Sequence, residues 1–120
     1  MSSKKIVIFA SGSGSSAENI ILSFKKTPAI NVAKLYCNKP DAFVLQRIKK
    51  YNVESLLFNS IELNNNTVLE NLTKASPDLI VLAGFLQKIP EKIINAFKNK
   101  IINIHPSLLP KHGGKGMYGL

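Results

Sequence analysis

Short apolar runs alternate along this chain with segments of helical periodicity. The runs predict five strands, at residues 6–10, 32–37, 53–58, 79–83 and 101–105. The first run is uninterrupted by polar residues, which is typical of a strand buried on both faces. Because strands and helices alternate, we predict an α/β fold with a Rossmann-like, open, mainly parallel sheet and helices on both faces.

The segments between the strands predict four helices. The first helix begins with a match to a capping box, Ser15 with Glu18, and its apolar face contains Ala17, Ile20, Ile21 and Phe24. Asp41 is expected to cap the second helix, whose apolar face contains Val44, Leu45, Ile48 and Tyr51. Residues 61–66 predict a loop that leads into a third helix at about 67–74. Pro90 is preset for the first turn of the fourth helix.

The composition argues against a nucleic-acid partner despite a net charge of +9. Fifteen of the sixteen basic residues are lysine, and they are spread along the chain. Arg47 is the only arginine. The guanidinium group, which binds bases and phosphates through two parallel hydrogen bonds, therefore occurs only once in the sequence. The positive field still favours anionic small molecules as ligands.

Length and cysteine content predict a single cytoplasmic domain. The 120 residues are enough for one hydrophobic core that needs neither disulfides nor a metal. Cys37 has no second cysteine to pair with, which suits a reducing compartment, and we expect it to act as a small buried apolar side chain. No apolar run approaches the length of a membrane span, so we expect no membrane partner.

A glycine-rich loop follows the first strand. Its residues Gly12-Ser13-Gly14-Ser15-Ser16-Ala17 match the pattern G-x-G-x-x-A. A dinucleotide site would also need an acid at the end of the second strand. This chain has Asn38 and Lys39 there, which argues against a dinucleotide site. The loop presents backbone N–H groups and serine hydroxyls at a helix amino terminus, which suits a phosphate. A purely structural tight turn of small residues explains the same pattern about equally well.

A second motif lies at the end of the fifth strand, where Asn103-Ile104-His105 leads into Pro106-Ser107-Leu108-Leu109-Pro110. Side chains of a strand alternate between its faces, so Asn103 and His105 are expected to point the same way. An amide donor beside an imidazole is suited to stabilising an oxyanion and moving a proton. Without its flanks, such a pair is more often a buried polar pair satisfied by the backbone.

With its flanks, this segment resembles the signature of the 10-formyltetrahydrofolate-dependent formyltransferases. Two further stretches, residues 5–16 and 77–85, are similar to the branch of that family that formylates glycinamide ribonucleotide. The resemblance implies a formyltransferase fold, 10-formyltetrahydrofolate as co-substrate and glycinamide ribonucleotide as the acceptor, in purine biosynthesis. It implies no metal ion, and we expect a monomer or weak homodimer.

The resemblance also assigns roles to individual residues. Asn103 and His105 would stabilise the tetrahedral intermediate of formyl transfer, and His105 would help to relay a proton. The nucleotide phosphate would be held by Gly14, Ser15 and Ser16, with Ser16 at a position where asparagine or threonine is usual in the family.

The folate pocket is implied in the segment after Ala83-Gly84-Phe85. Main-chain groups there would read the edge of the pteridine while apolar side chains pack on its face. The implied residues are Leu86, Gln87, Lys88 and Ile89, together with Asn103. Gln87 stands where arginine or another long polar residue often occurs in the family.

Several alternatives stay open. Methionyl-tRNA formyltransferase and formyltetrahydrofolate hydrolase belong to the same family, although the loop after the first strand has the nucleotide-phosphate form and the hydrolase usually carries a regulatory domain ahead of this fold. A non-catalytic phosphate- or nucleotide-binding module is a rival of a different class.

The family's catalytic aspartate is expected beyond Leu120, so we expect residues 1–120 to be one domain truncated at its carboxyl end and inactive alone.

Overall fold

The computed structural model describes residues 3–104 and 117–118, the last two by their backbone alone. Within these residues, six strands form one sheet: β1 (Lys4–Ala10), β2 (Ile30–Cys37), β3 (Glu54–Leu57), β4 (Leu79–Ala83), β5 (Ile101–Ile104) and β6 (Met117–Tyr118). The same part of the chain contains five helices: α1 (Ser15–Phe24), α2 (Phe43–Arg47), α3 (Ser60–Asn64), α4 (Thr67–Ala75) and α5 (Glu91–Ala96). A 3₁₀ turn, Ile48–Lys50, continues α2.

The strands are arranged in the order β3-β2-β1-β4-β5-β6. Strands β1 to β5 pair in parallel, and β6 pairs with β5 in the antiparallel direction. The chain runs outward from β1 to β3, then returns to place β4 on the other side of β1. In sheets of this kind, ligands bind outside the carboxyl ends of the strands where the order reverses. The predicted α/β, mainly parallel fold is confirmed.

Both faces of the sheet are covered, as β1 shows most clearly. On one face, called the first face, Ile6, Ile8 and Ala10 pack in a cluster with α1 and α2. On the other, called the second face, Val7 and Phe9 pack with α3, α4 and α5. All five side chains are at most 4% exposed. An uninterrupted apolar run is therefore required at β1, because neither set of alternating side chains meets water.

An aromatic cluster occupies the second face. The ring of Phe9 stacks on Tyr36 at a centroid distance of 4.8 Å and meets the edges of Phe85 at 5.3 Å and Phe58 at 5.9 Å. Tyr36 lies on β2, Phe58 follows β3 and Phe85 follows β4. One side chain of the central strand thus joins segments from across the sheet.

Two predictions about the helices between β3 and β4 have opposite outcomes. The helix expected at about 67–74 is confirmed as α4. The loop expected at residues 61–66 is wrong for most of its length, because Ser60–Asn64 forms α3. Asn59 and Glu62 form a complete capping box there, with both hydrogen bonds at 2.8 Å, and Leu63 is buried. The cap and that buried leucine stabilise a helix that is too short to show periodicity.

Both predicted caps of the first two helices are wrong. Helix α1 begins after Gly14 with no side-chain cap, and the Glu18 carboxylate pairs with other residues. Helix α2 begins after Ala42, again without a side-chain cap. Asp41 lies one residue too early, since a side chain caps a helix from the N-cap position itself.

Candidate functional site

A small cavity lies where the strand order reverses, between the carboxyl ends of β1 and β4. Its volume is about 60 Å³. The residues that line it are small, so backbone groups form most of its wall; they are Gly12, Ser13, Gly14, Ser15, Ser16, Ala83 and Gly84. The structure therefore brings the three predicted phosphate-site residues together with the end of β4.

The wall of this cavity continues directly into α1, a helix of ten residues. Gly14 is the N-cap, with φ of 83°, and Ser15 and Ser16 are the first two helical residues. The first N–H groups of a helix have no acceptor within the helix, and they favour an anion. Ser15 is exposed and Ser16 is buried. This arrangement has the chemistry to hold a phosphate.

Helix α2 contacts the glycine loop from its outer side. The Val44 N–H donates to the Gly12 carbonyl at 3.1 Å, and the Arg47 Nε–H donates to the Ser13 carbonyl at 2.8 Å. A Cβ added at Gly14 would lie 2.4 Å from Val44 Cγ2. Only glycine fits there, so the glycine is needed for close approach as well as for its positive φ.

Glu18 links α1 to α2. Its carboxylate accepts hydrogen bonds from Arg47 Nη1 at 2.9 Å and from the Tyr51 hydroxyl at 2.5 Å, and Lys50 Nζ lies 3.3 Å away. Hydrogen bonding to Tyr51, then to Arg47, lowers the pKa of Glu18 to about 2. The same bond to Glu18 raises the pKa of Tyr51. The side chain is 15% exposed, so this ion pair is more protected than one on an open surface.

Ser11 joins the ends of three strands. Its side chain is almost fully buried, and its hydroxyl donates to Asn38 Oδ1 at 2.6 Å while accepting the Leu86 N–H at 2.9 Å. Ser11 follows β1, Asn38 follows β2 and Leu86 follows β4. One hydroxyl therefore ties the glycine loop to the segment predicted to bind folate.

That segment, residues 86–89, follows β4 and lies outside the helices and strands. Leu86 is 73% exposed, whereas Ile89 is 6% exposed and packs in the core cluster of the second face with Ile93 and Phe97. Gln87 is partly buried and Lys88 is exposed. Of the two apolar side chains predicted to line the folate pocket, that of Leu86 is therefore exposed and that of Ile89 is buried in the hydrophobic core.

Asn103 lies on β5, opposite Leu82 of β4 and Tyr118 of β6. It is partly buried. Ile102 and Ile104 pack against the cluster of the first face, and Ile101 packs against that of the second. Asn103 therefore shares the face of Ile101. His105, its predicted catalytic companion, lies outside the residues that the structure describes.

Sequence reasoning missed the supporting residues Ser11, Asn38, Glu18 and Arg47. A signal existed for the first two, since each is the polar residue that immediately follows a predicted strand. No local signal pointed to the others, because Glu18 and Arg47 are 29 residues apart and act through contact.

Three further features concern metal binding, the cysteine and membrane insertion. Residues 3–104 contain no group of three or more His, Cys, Asp or Glu side chains that could hold a metal ion. Cys37 is fully buried, as predicted, and burial raises the pKa of its thiol. Among the helices in the described part of the chain, none is long and apolar enough to cross a membrane.

Comparison with known proteins identifies relatives along nearly the whole chain. The sequence model of the formyl transferase family matches residues 4–119. A phosphoribosylglycinamide formyltransferase of Bacillus subtilis (strain 168) is 37% identical in an alignment of 117 positions that covers 92% of this chain and 60% of the relative. One of Haemophilus influenzae is 36% identical in an alignment of 122 positions that covers 96% of this chain and 57% of the relative.

Solved structures agree with these sequence matches. The glycinamide ribonucleotide transformylase 1 of Geobacillus kaustophilus superposes with a TM-score of 0.79 at 34% identity, covering 94% of this chain and 63% of that one. A phosphoribosylglycinamide formyltransferase of Brucella melitensis gives 0.80 at 27% identity, covering 94% and 62%. This chain spans about 60% of the length of the Bacillus subtilis relative. With the family pattern matched from residue 4 to residue 119, the chain belongs to the formyl transferase family.

Proposed function

We propose that the protein carrying this chain transfers a formyl group from 10-formyltetrahydrofolate to the amine of glycinamide ribonucleotide, in cytoplasmic purine biosynthesis. The glycine loop carries this proposal. It brings small residues and the first N–H groups of α1 together beside the end of β4, in a chain whose relatives are named phosphoribosylglycinamide formyltransferase.

The nucleotide phosphate binds at Gly14, Ser15 and Ser16 in this proposal. Backbone N–H groups and the serine hydroxyls supply the hydrogen bonds. The dipole of α1 adds about 0.3–1 kcal/mol at an exposed helix end, so direct hydrogen bonds supply most of the affinity.

The folate binds along residues 86–89. Backbone groups of Leu86, Gln87, Lys88 and Ile89 read the pteridine edge, and the exposed side chain of Leu86 is the apolar contact that this segment offers. The bond from the Leu86 N–H to Ser11 holds the start of the segment in place, which supports a preformed pocket.

The amine of the nucleotide attacks the formyl carbon and forms a C–N bond. The formyl oxygen becomes negative in the tetrahedral intermediate, and Asn103 donates a hydrogen bond to it. His105 stabilises the same oxygen and relays the proton from the attacking amine to the folate nitrogen. The bond between that nitrogen and the formyl carbon then breaks, which releases tetrahydrofolate.

A formyl-transfer assay on the full-length protein, its length established by intact mass, tests this function. Glycinamide ribonucleotide, methionyl-tRNA and water are offered as competing acceptors with one 10-formyltetrahydrofolate stock, and each product is measured by mass spectrometry. We expect formylated glycinamide ribonucleotide. Formyl-methionyl-tRNA or free formate as the main product would assign another enzyme of the family, and nucleotide binding without any transfer would indicate a binding module.

Substitutions in the predicted catalytic pair test the mechanism. Loss of an oxyanion donor typically costs about 10²–10³ in rate, so we expect Asn103→Ala and His105→Ala each to lower kcat by that factor while nucleotide affinity is retained. Asn95→Ala, at an exposed position of α5, is the matched control and should keep kcat. Unchanged kcat in both variants would contradict the assigned roles.

A further inference from the structure

The carbonyl groups of the glycine loop point toward α2. The Gly12 carbonyl accepts the Val44 N–H, and the Ser13 carbonyl accepts the Arg47 Nε–H. The cavity at the loop is lined by residues 12–16 with Ala83 and Gly84, and α2 contributes nothing to its wall. Helix α2 and the cavity thus lie on different sides of the loop.

The direction of these carbonyls determines the direction of the next two N–H groups. A trans peptide is planar, so its C=O and N–H point in opposite directions, and the described part of the chain has no cis peptide bond. The Ser13 N–H is opposite the Gly12 carbonyl, and the Gly14 N–H is opposite the Ser13 carbonyl. Both therefore point away from α2.

We propose that α2 acts as a clamp that aims the Ser13 and Gly14 N–H groups at a phosphomonoester, with Arg47 as a positioning residue for that ligand. This inference rests on the proposed function and adds to it the element that orients the phosphate loop. Without the clamp, the two peptide units are free to rotate and their N–H groups no longer converge on one anion.

The Arg47 guanidinium donates hydrogen bonds to two groups of the protein itself. Its Nε–H is bonded to Ser13 and its Nη1 is bonded to the Glu18 carboxylate, which balances the guanidinium charge. The planar fork of arginine makes both bonds at once, and lysine, with a single ammonium group, does not reproduce that geometry. These two bonds hold the loop in position. An arginine that binds the ligand directly would instead keep its guanidinium N–H groups available for the phosphate.

Two-dimensional NMR of the ¹⁵N-labelled full-length protein tests the clamp. Glycinamide ribonucleotide and, separately, inorganic phosphate are titrated while the amide signals of Ser13 and Gly14 are followed. We expect both signals to shift on binding in the wild type. Arg47→Met and Arg47→Lys should each weaken nucleotide binding about tenfold, the scale of a lost charge-assisted hydrogen bond, with smaller shifts at these two amides.

Lys49→Met is the matched control. It removes the same charge from an exposed position two residues away and should leave affinity within about twofold. Dispersed amide signals of β1 and β4 show that each variant is folded, and Arg47→Lys carries the test if Arg47→Met does not fold.

The outcomes separate the two proposals. Wild-type affinity in Arg47→Lys with loss in Arg47→Met would overturn the clamp in favour of direct charge capture. Wild-type affinity in both variants would overturn the clamp and leave the proposed function standing. No shift of Ser13 or Gly14 with either ligand in the wild type would overturn the clamp, and no shift of Ser15 or Ser16 either would overturn the phosphate site as well.

Discussion

Two glycines of one loop have different requirements. Gly14 has φ of 83° and faces Val44 so closely that an added Cβ would lie 2.8 Å from the Val44 Cα. At the Cβ position of Gly12, no atom of the described residues lies within 4 Å. The sequence pattern G-x-G treats the two alike, and the positive φ of Gly14 and its close approach to α2 distinguish them.

This difference predicts unequal effects of alanine. Gly14→Ala forces a left-handed residue, at about 1–2 kcal/mol, and pushes a methyl group into backbone, at about 1–3 kcal/mol. We expect a loss of about 2–5 kcal/mol in the free energy of unfolding, measured by urea denaturation. Gly12→Ala, the control, should stay within about 0.5 kcal/mol. Equal effects of the two substitutions would contradict both the positive φ of Gly14 and its close approach to α2.

At the scale of elements, α2 is stable because of its contacts. Five residues with no side-chain cap do not form a stable helix on their own. Val44 and Ile48 are buried in the core of the first face, and Arg47 is paired with Glu18 of α1. The Glu18 pair therefore joins two helices that flank the glycine loop.

The contacts of Glu18 with Arg47 and Tyr51 predict that the protein loses stability in acid. The pKa of Glu18 is about 2 in the folded protein against a usual 4.5. Because the folded-state pKa is the lower one, the stabilisation is fully present above about pH 4.5 and is lost as the pH falls toward 2. Urea denaturation from pH 6 to pH 2 measures it, and Glu18→Gln should show a shallower decline than the wild type.

Glu54→Gln is the control for that measurement. Glu54 is 72% exposed and lies 3.7 Å from Lys34, a solvent-screened pair of small effect. Its profile should parallel that of the wild type. If Glu18→Gln also parallels the wild type, the Glu18–Arg47–Tyr51 contacts do not contribute to stability.

At the scale of the whole molecule, the sheet separates two apolar clusters that share its central strand. Phe9 contacts aromatic residues from three other segments. One of these, Phe85, immediately precedes the segment proposed to bind folate. Packing at Phe9 therefore supports both the sheet and the position of that segment.

Removing the Phe9 ring should affect the molecule as a unit. Phe9→Ala leaves a cavity in a fully buried position, which typically costs about 3–5 kcal/mol, a large share of the about 5–15 kcal/mol by which domains are stable. Thermal unfolding followed by circular dichroism measures it. Phe43→Ala, at a 56% exposed position beside Arg47, should cost under about 1 kcal/mol. A similar small cost at Phe9 would contradict the packing described.

The sequence by itself determined most of the architecture. Burial on two faces requires the uninterrupted run at β1, and the periodic face of α1 requires a helix; both are local patterns that can be read along the chain. The motif around Asn103 and the glycine loop led to the family before any geometry was known. The short helix α3 was missed because five residues hold too little periodicity to detect.

Only the tertiary structure decided how the site is supported. Glu18 was expected to cap its own helix and instead pairs with Arg47 and Tyr51 of a distant segment. Because α1 begins after Gly14, Glu18 lies one position past that of a capping-box acid. Ser11 binds Leu86, 75 residues away. Ile89, expected at the ligand, packs in the core. Local patterns encode which elements form, whereas the choice among competing partners depends on which side chains the folded sheet brings into contact.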